Sequence, residues 1–347
     1  MTTLAEAYQE AYEKDLSDHN QTTPLDFESV QTLPESHVWH DQSHEIESSA
    51  IPIIDLHDPN VIKLIRHASE TWGVFELTAH GIPLKLVKDV EEEARRLFSL
   101  PFQHKMQALR TANGATGYGI AKIAKFYPKL MWHEGFTIMG SPAADAVKLW
   151  PNHYIHFCDV MESYQKKMRE ALNIPRQDVK WVTSSEEVAS TGLQLNSYPP
   201  CPDHSTALGL APHTDTSLFT LLHQLSNTNG LQILKDGKWF MVAPVNPHAL
   251  LVNLGDLLHL MSNGRFTSVV HRAAVNQNGH RLSAAYFYTP PVEYELSALC
   301  LEGLDQLPLY RTLKVKEYVA LKVRHFDKAL YLVKNKVDDM ASWERRK

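Results

Sequence analysis

Cysteine is scarce: the chain holds three in 347 residues, Cys158, Cys201 and Cys300. They are widely spaced, odd in number and form no Cys-x-x-Cys pair, which excludes a disulfide framework and a cysteine-built zinc site and fits a reducing, intracellular compartment. An excess of positive charge is lacking too. With 34 Lys plus Arg against 40 Asp plus Glu, the formal net charge is -6, so no general attraction to nucleic acid or to anionic membranes is expected. No window approaches the roughly 20 apolar residues that cross a bilayer. The opening MTTLAEAYQEAYEKD has neither the basic start nor the apolar stretch of a secretory signal, which makes the cytoplasm the default location. Internal repeats, low-complexity tracts and cues to an obligate protein partner are absent as well.

What is present is the composition of an ordinary folded protein, 44% hydrophobic and 21% charged. Residues 1 to about 48 are polar with little period, read as a surface wrapping without chemistry. IPIIDL at 51–56 reads as a buried strand, and VIKLIRHASETWG as a helix presenting Ile62, Ile65, Ala68 and Trp72. VFEL at 74–77 is another strand, and beyond Pro83 a second helix places Leu86, Val90, Ala94, Leu97 and Phe98 on one face. From about 193 the pattern changes to short β-like runs, LQLNSY, SLFTLLHQ, LQILK, WFMVAP, ALLVNLG, SVVHRAAV and LSAAYFY, separated by turn residues. Many short strands without intervening helices predict a sandwich or barrel, and VKEYVALKVRHFDKALYLVK near the C-terminus returns to a helical period.

Within the β-rich part, His213-Thr214-Asp215 stands just before a strand-like run, and alternation along a strand would project His213 and Asp215 the same way. His271, in SVVHRAAV, supplies a third ligand from another strand. Two histidines and one carboxylate form the facial triad of non-haem iron(II) oxygenases, which leaves positions open for co-substrate and oxygen. By contrast His325-Phe326-Asp327 has the same spacing in a helical period, where residues two apart diverge around the cylinder. Ten residues after His271, Arg281 and Ser283 share a strand face; a guanidinium grips a carboxylate with two parallel hydrogen bonds and a hydroxyl adds a third donor. This suits the distal carboxylate of 2-oxoglutarate, and Asn196 and Tyr198 share a further face from which a phenol can donate to the same co-substrate.

His213-x-Asp215, His271, Arg281-x-Ser283 and Asn196-x-Tyr198, in that order, resemble the plant 2-oxoglutarate-dependent dioxygenases. The resemblance runs from IPIIDL and WGVFELTAHGIP through NSYPPCP and NLGDLLHLMSNGRFTSVVHR to RLSAAYFYTPP. It implies a mixed α+β fold: a double-stranded β-helix, or jelly roll, with N-terminal and flanking helices. The implied organisation is an N-terminal dioxygenase region at 1–190, a jelly-roll core at 191–293 and a C-terminal helical segment at 294–347. It also implies Fe(II), 2-oxoglutarate and O2 as cofactors, with ascorbate supporting activity. TGYGIAKIAKFYPKLMWHEGFTIMGSP at 116–142 and LWP at 149–151 look like gibberellin 3-beta-dioxygenases, which hydroxylate carbon 3 of C19 gibberellins. By that likeness the substrate is a small diterpenoid acid, bordered by Tyr118, Phe126, Lys129 and Trp132, in gibberellin hormone biosynthesis.

The chain departs from the family between Met168 and Asn173, where relatives carry a longer apolar helix, by about a dozen residues or ~18 Å of helix. A shortened helix would uncover apolar surface on the jelly roll. Competing expectations therefore stand beside carbon-3 hydroxylation: an oxygenase acting on another gibberellin carbon or on a flavonoid, an ascorbate-dependent ethylene-forming relative, and an inactive variant that merely binds. A hydrolytic zinc enzyme would leave Arg281 and Ser283 without a purpose.

Overall fold

Alternate residues of Arg281–Thr289 face two different interiors: Leu282, Ala284 and Tyr286 join the largest apolar core, while Arg281, Ser283, Ala285 and Phe287 line a cavity. A strand buried on both faces belongs at the centre of a layered fold. The computed structural model describes residues 2–15, 23–39, 46–48, 51–171, 190–243, 246, 249–299 and 307–335. Among them, in chain order, are β1 (Ile46–Ser48), β2 (Ile53–Asp55), β3 (Val74–Thr78), β4 (Gly117–Gly119), β5 (Glu134–Ile138), β6 (Ser190–Tyr198) and β7 (Leu208–His213). There follow β8 (Phe219–Gln224), β9 (Leu231–Lys235), β10 (Lys238–Met241), β11 (Leu250–Leu254), β12 (His271–Ala274) and β13 (Arg281–Thr289).

The larger sheet has the order β2-β3-β11-β8-β13-β6-β5-β4 and the smaller β1-β10-β9-β12-β7. From β7 onward the chain passes back and forth between the sheets: β7, β9, β10 and β12 lie in the smaller, β8, β11 and β13 in the larger. This crossing is the double-stranded β-helix, and the cavity lies between its two faces, lined from both. Strands β2 to β5, from the first half of the chain, extend the larger sheet at both edges, and β1 extends the smaller.

Helices cover the outer face of the larger sheet. Val87, Val90, Ala94, Leu97 and Phe98 of Leu84–Phe98 are buried there, with Leu86 partly buried beside them. The helix starts after Pro83 and carries Arg95 and Arg96 in its last turn, where cations favour the helix dipole. Ile155–Ala171 adds Phe157, Val160, Met161, Tyr164 and Met168 to the same core. The departure expected at Met168–Asn173 therefore begins in a well-seated helix turn, while residues 172–189 lie outside the described part of the chain. Cys158 and Cys201 are free and buried, and Cys300 lies outside the described residues.

Three expectations are corrected. On Val61–Thr71 the inward stripe passes through Val61, Ile65 and Ala68, so Ile65 and Ala68 face inward as expected, while Ile62 is 72% exposed and Val61, one position earlier, takes its place. LGLAPH, unmarked as a strand, forms β7, so His213 ends a strand instead of preceding one. The polar N-terminus contains a helix, Leu4–Glu13, with Thr3 and Glu6 forming a reciprocal cap, and Leu4, Ala7 and Ala11 buried. Its buried faces pack against Val292 and against Val315, Tyr318 and Val319 of the helix Val315–His325.

Candidate active site

The register of the smaller sheet brings the two histidines together: in the β7–β12 pair His271 stands directly opposite His213. Side chains so paired lie within contact distance, and here the imidazole centroids are 4.2 Å apart. Asp215 follows two residues beyond the end of β7, and its Oδ1 is 3.7 Å from His213 Nε2 and 3.8 Å from His271 Nε2. One ligand atom from each residue lies within 4.8 Å of the others.

Neighbouring groups decide which atoms face inward. His213 Nδ1 donates to the Ala211 carbonyl at 2.8 Å, and His271 Nδ1 approaches the Val269 carbonyl at 3.3 Å. A carbonyl only accepts, so each ring carries its proton on Nδ1 and presents a bare Nε2 lone pair. Asp215 Oδ2 accepts from Thr220 Oγ1 at 2.5 Å, which leaves Oδ1 facing the histidines. Burial, reinforced by the adjoining His271, holds His213 well below the ordinary histidine pKa, in the neutral form that binds metals. Two imidazole nitrogens and one carboxylate oxygen converging from one side match an iron(II) facial triad and leave the opposite side open.

Across the cavity, β13 pairs with β6 so that Arg281 faces Tyr198 and Ser283 faces Asn196. Arg281 is 2% exposed, its carbon Cζ lies 5.0 Å from the Tyr198 ring, and its Nε has no hydrogen-bond partner among the described residues. A buried guanidinium with an unsatisfied N–H calls for an anion. Burial lowers the Arg281 pKa and raises that of the Tyr198 phenol, so a neutral donor stands beside a cation. Room for both long side chains comes from glycines. A Cβ on Gly230 would sit 2.7 Å from Arg281 Cδ, and one on Gly209 would sit 2.7 Å from Tyr198 Cδ1.

His213, Asp215 and His271 on one side and Arg281, Ser283, Asn196 and Tyr198 on the other line one cavity of about 280 Å³, at the lower edge of the roughly 300–1,000 Å³ usual for small-molecule sites. Of the four side chains expected to border a substrate, Phe126 lines it. Tyr118, Lys129 and Trp132 lie elsewhere. Tyr118 donates to the buried Glu134 at 2.7 Å, Lys129 pairs with Glu35 at 2.9 Å, and Trp132 donates to the Pro199 carbonyl at 3.0 Å among Phe27, Cys201 and Val275. Each is aromatic or cationic in a stretch where alternation along β4 and β5 and the intervening turns decides facing, which composition does not reveal.

Other lining residues escaped sequence reasoning. Leu4, Tyr8 and Tyr12 come from the N-terminal helix, and Lys322 and Phe326 from the C-terminal segment. Leu4, Ala7, Tyr8, Ala11 and Tyr12 recur at helical spacing behind the Thr3-x-x-Glu6 cap, a signal that was there to be read. Phe326 ends the helix Val315–His325 at a left-handed φ of 49° and stacks on Phe126 with centroids 4.8 Å apart. This strained conformation breaks the helical period through His325-Phe326-Asp327, and that pair joins no metal-binding group among the described residues. His133 also lines the cavity and contacts Asn196.

The profile of the 2OG-Fe(II) oxygenase superfamily matches residues 190–290, and that of the non-haem dioxygenase in morphine synthesis N-terminal matches residues 51–156. The chain is 43% identical over 333 residues to gibberellin 3-beta-dioxygenase 1 of Pisum sativum, covering 89% of each. It is 44% identical over 330 residues to gibberellin 3-beta-dioxygenase 3 of Arabidopsis thaliana, covering 89% of this chain and 94% of that one. Among solved structures, JOX2 in complex with 2OG, Fe and JA superposes with a TM-score of 0.76 at 26% identity, covering 89% of this chain and 95% of that one. The rice dioxygenase for auxin oxidation, at 23% identity and a TM-score of 0.65 over 82% of this chain and all (100%) of that one, shares the fold.

Proposed function

This chain belongs to the 2OG-Fe(II) oxygenase superfamily, and from that premise we propose that it hydroxylates carbon 3, on the β face, of a C19 gibberellin in hormone biosynthesis. The observation that carries the reading is the convergence of His213, Asp215 and His271 on one wall of a cavity whose opposite wall holds Arg281 and Ser283. Similarity to gibberellin 3-beta-dioxygenases over about nine-tenths of the chain supports the choice of substrate. As an enzyme of this superfamily it uses Fe(II), 2-oxoglutarate and O2.

His213, Asp215 and His271 would hold the metal, presenting Nε2, Oδ1 and Nε2 toward one another. Arg281, with Ser283 and Tyr198, would bind the far carboxylate of 2-oxoglutarate, and Asn196, donating to the Ser283 hydroxyl, would orient it. Bound Fe(II) supplies the oxidative chemistry that couples decarboxylation of 2-oxoglutarate to succinate with hydroxylation of a C–H bond. The protein's contribution is position. Phe126 and Phe326, with Leu4, Tyr8 and Tyr12 of the N-terminal helix, form an apolar wall suited to a diterpenoid skeleton. Which carbon faces the metal is decided by that wall, since small misplacements of the target cost orders of magnitude in rate. Among the described residues no helix is long and apolar enough to cross a membrane, and the cytoplasm is the compartment this reading proposes.

The test is turnover of a C19 gibberellin by protein reconstituted with Fe(II) and 2-oxoglutarate in air, with succinate quantified and the product identified by mass spectrometry. One succinate per 3β-hydroxylated product is the expected result. Hydroxylation at another carbon, or turnover of a flavonoid in its place, would overturn the substrate assignment. Product formed without succinate would overturn the chemistry.

A further inference from the structure

We propose that Lys322 is a positioning residue for the metal ligands, acting through Thr214, the residue between His213 and Asp215. Lys322 lies on the helix Val315–His325 and is 8% exposed. Its Nζ donates to Thr214 Oγ1 at 2.7 Å and to Asp256 Oδ2 at 2.6 Å. Asp256 is 0% exposed, and its carboxylate also accepts from Tyr318 at 2.8 Å and Ser268 at 2.7 Å. A charge pair at this depth adds little net stability, because both ions were taken from water. Its use is geometric, and its surroundings show where.

Asp256 holds the same loop by its main chain, its N–H donating to the Asp215 carbonyl at 2.8 Å, while Leu257 N donates to the Ser217 carbonyl at 3.2 Å. The backbone fit there is tight: a Cβ on Gly255 would fall 2.1 Å from the Ser217 carbonyl oxygen. The strand that aligns His213 has ended by Thr214, so no sheet hydrogen bonds fix the step from one ligand to the next. Lys322 supplies that restraint by holding the Thr214 hydroxyl, and Asp256 keeps the ammonium in place. The metal site is thereby tied to the C-terminal helix, about 110 residues further along the chain. Groups that orient metal ligands in this way typically govern affinity by roughly 10–100-fold.

The proposal rests on His213, Asp215 and His271 being the metal ligands, and its test measures metal binding directly. Co(II) is titrated into the metal-free full-length chain and followed by its d–d absorption, for the parent, Thr214→Val, Lys322→Met and the double variant. Thr214→Val keeps shape, removes the acceptor and leaves the Lys322–Asp256 pair intact. It is expected to weaken Co(II) binding about tenfold without moving the thermal midpoint of the metal-free protein, and the double variant is expected to bind no worse than Lys322→Met alone. Parent-like affinity in Thr214→Val, or losses that add in the double variant, would overturn the role of Lys322. Should Lys322→Met not fold, Thr214→Val decides alone. Failure of the parent to bind Co(II) would overturn the ligand assignment and this proposal with it.

Discussion

At the scale of single residues, the two walls of the cavity predict separable defects. Replacing His213, Asp215 or His271 by Ala removes one of the three proposed ligands and is expected to abolish turnover while circular dichroism shows the fold retained; full activity in any of them would disprove the metal assignment. Arg281→Ala removes a charge-assisted anchor, a loss of roughly 1.5–3 kcal/mol, or about 10- to 150-fold in the 2-oxoglutarate needed for half-maximal rate. An unchanged requirement would refute its role. His133 makes a finer prediction. Its Nε2 stands 3.0 Å from Asn196 Oδ1, and Asn196 Nδ2 donates to Ser283 Oγ at 3.3 Å, so the serine oxygen is occupied as acceptor and its O–H is left to donate into the cavity. His133→Leu breaks that chain at its start, and a rise of a few-fold in the 2-oxoglutarate requirement is expected, from a hydrogen bond of about 1 kcal/mol. His133→Gln keeps an N–H donor and should restore most of it; equal effects of Leu and Gln would argue against the relay.

Among the elements, the N-terminal helix Leu4–Glu13 stands apart because it reaches the cavity from the far end of the chain. Leu4 and Ala7 pack against Val292, and Ala11 against the helix Val315–His325, which leaves Tyr8 and Tyr12 to face the cavity. Lys125 pairs with Asp15 just beyond the helix end, and the Lys122 ammonium lies 4.3 Å from the Tyr12 ring centroid. The helix is thus fastened to the same turn that carries Phe126. Tyr8→Ala is expected to raise the gibberellin KM several-fold and leave the 2-oxoglutarate requirement unchanged, because Tyr8 is remote in role from the Arg281 wall. Steady-state kinetics with each substrate varied in turn check this, and a selective rise in the 2-oxoglutarate requirement would contradict the placement.

For the whole molecule, buried histidines set how stability depends on pH. Burial pushes His133 down to about 4, His280 to about 4 and His223 to about 3, and each lies far below the ordinary 6.5 that the unfolded chain would show. Between about pH 6.5 and 4 the unfolded state therefore binds protons that the folded state does not, and stability falls as pH falls through that window. Urea midpoints of the metal-free protein at pH 7.5, 6 and 5 are expected to drop progressively. A flat profile between 6 and 5 would mean that these rings open to solvent more readily than the packed structure allows.

The sequence by itself pointed to the chemistry: Arg281-x-Ser283 and Asn196-x-Tyr198 were legible because strand alternation is local and two residues apart means one face, whereas His213-x-Asp215 was legible by residue type and spacing alone, since its strand ends at His213. The helix Leu84–Phe98 was legible for the same kind of reason, its apolar residues repeating every three or four positions. Register across strands is not local. That His271 stands opposite His213, and Ser283 opposite Asn196, was decided by sheet pairing over dozens of residues. So was the fate of the substrate-side residues: Tyr118 and Trp132 looked like Phe126 by type, but the first turned to Glu134 and the second to Pro199. The wall built by Tyr8, Tyr12 and Phe326, and the link from Lys322 to Thr214, exist because the two chain ends pack together over the jelly roll. Only the tertiary structure settles contacts between segments so far apart, since their free energy comes from burial that no single segment can achieve alone.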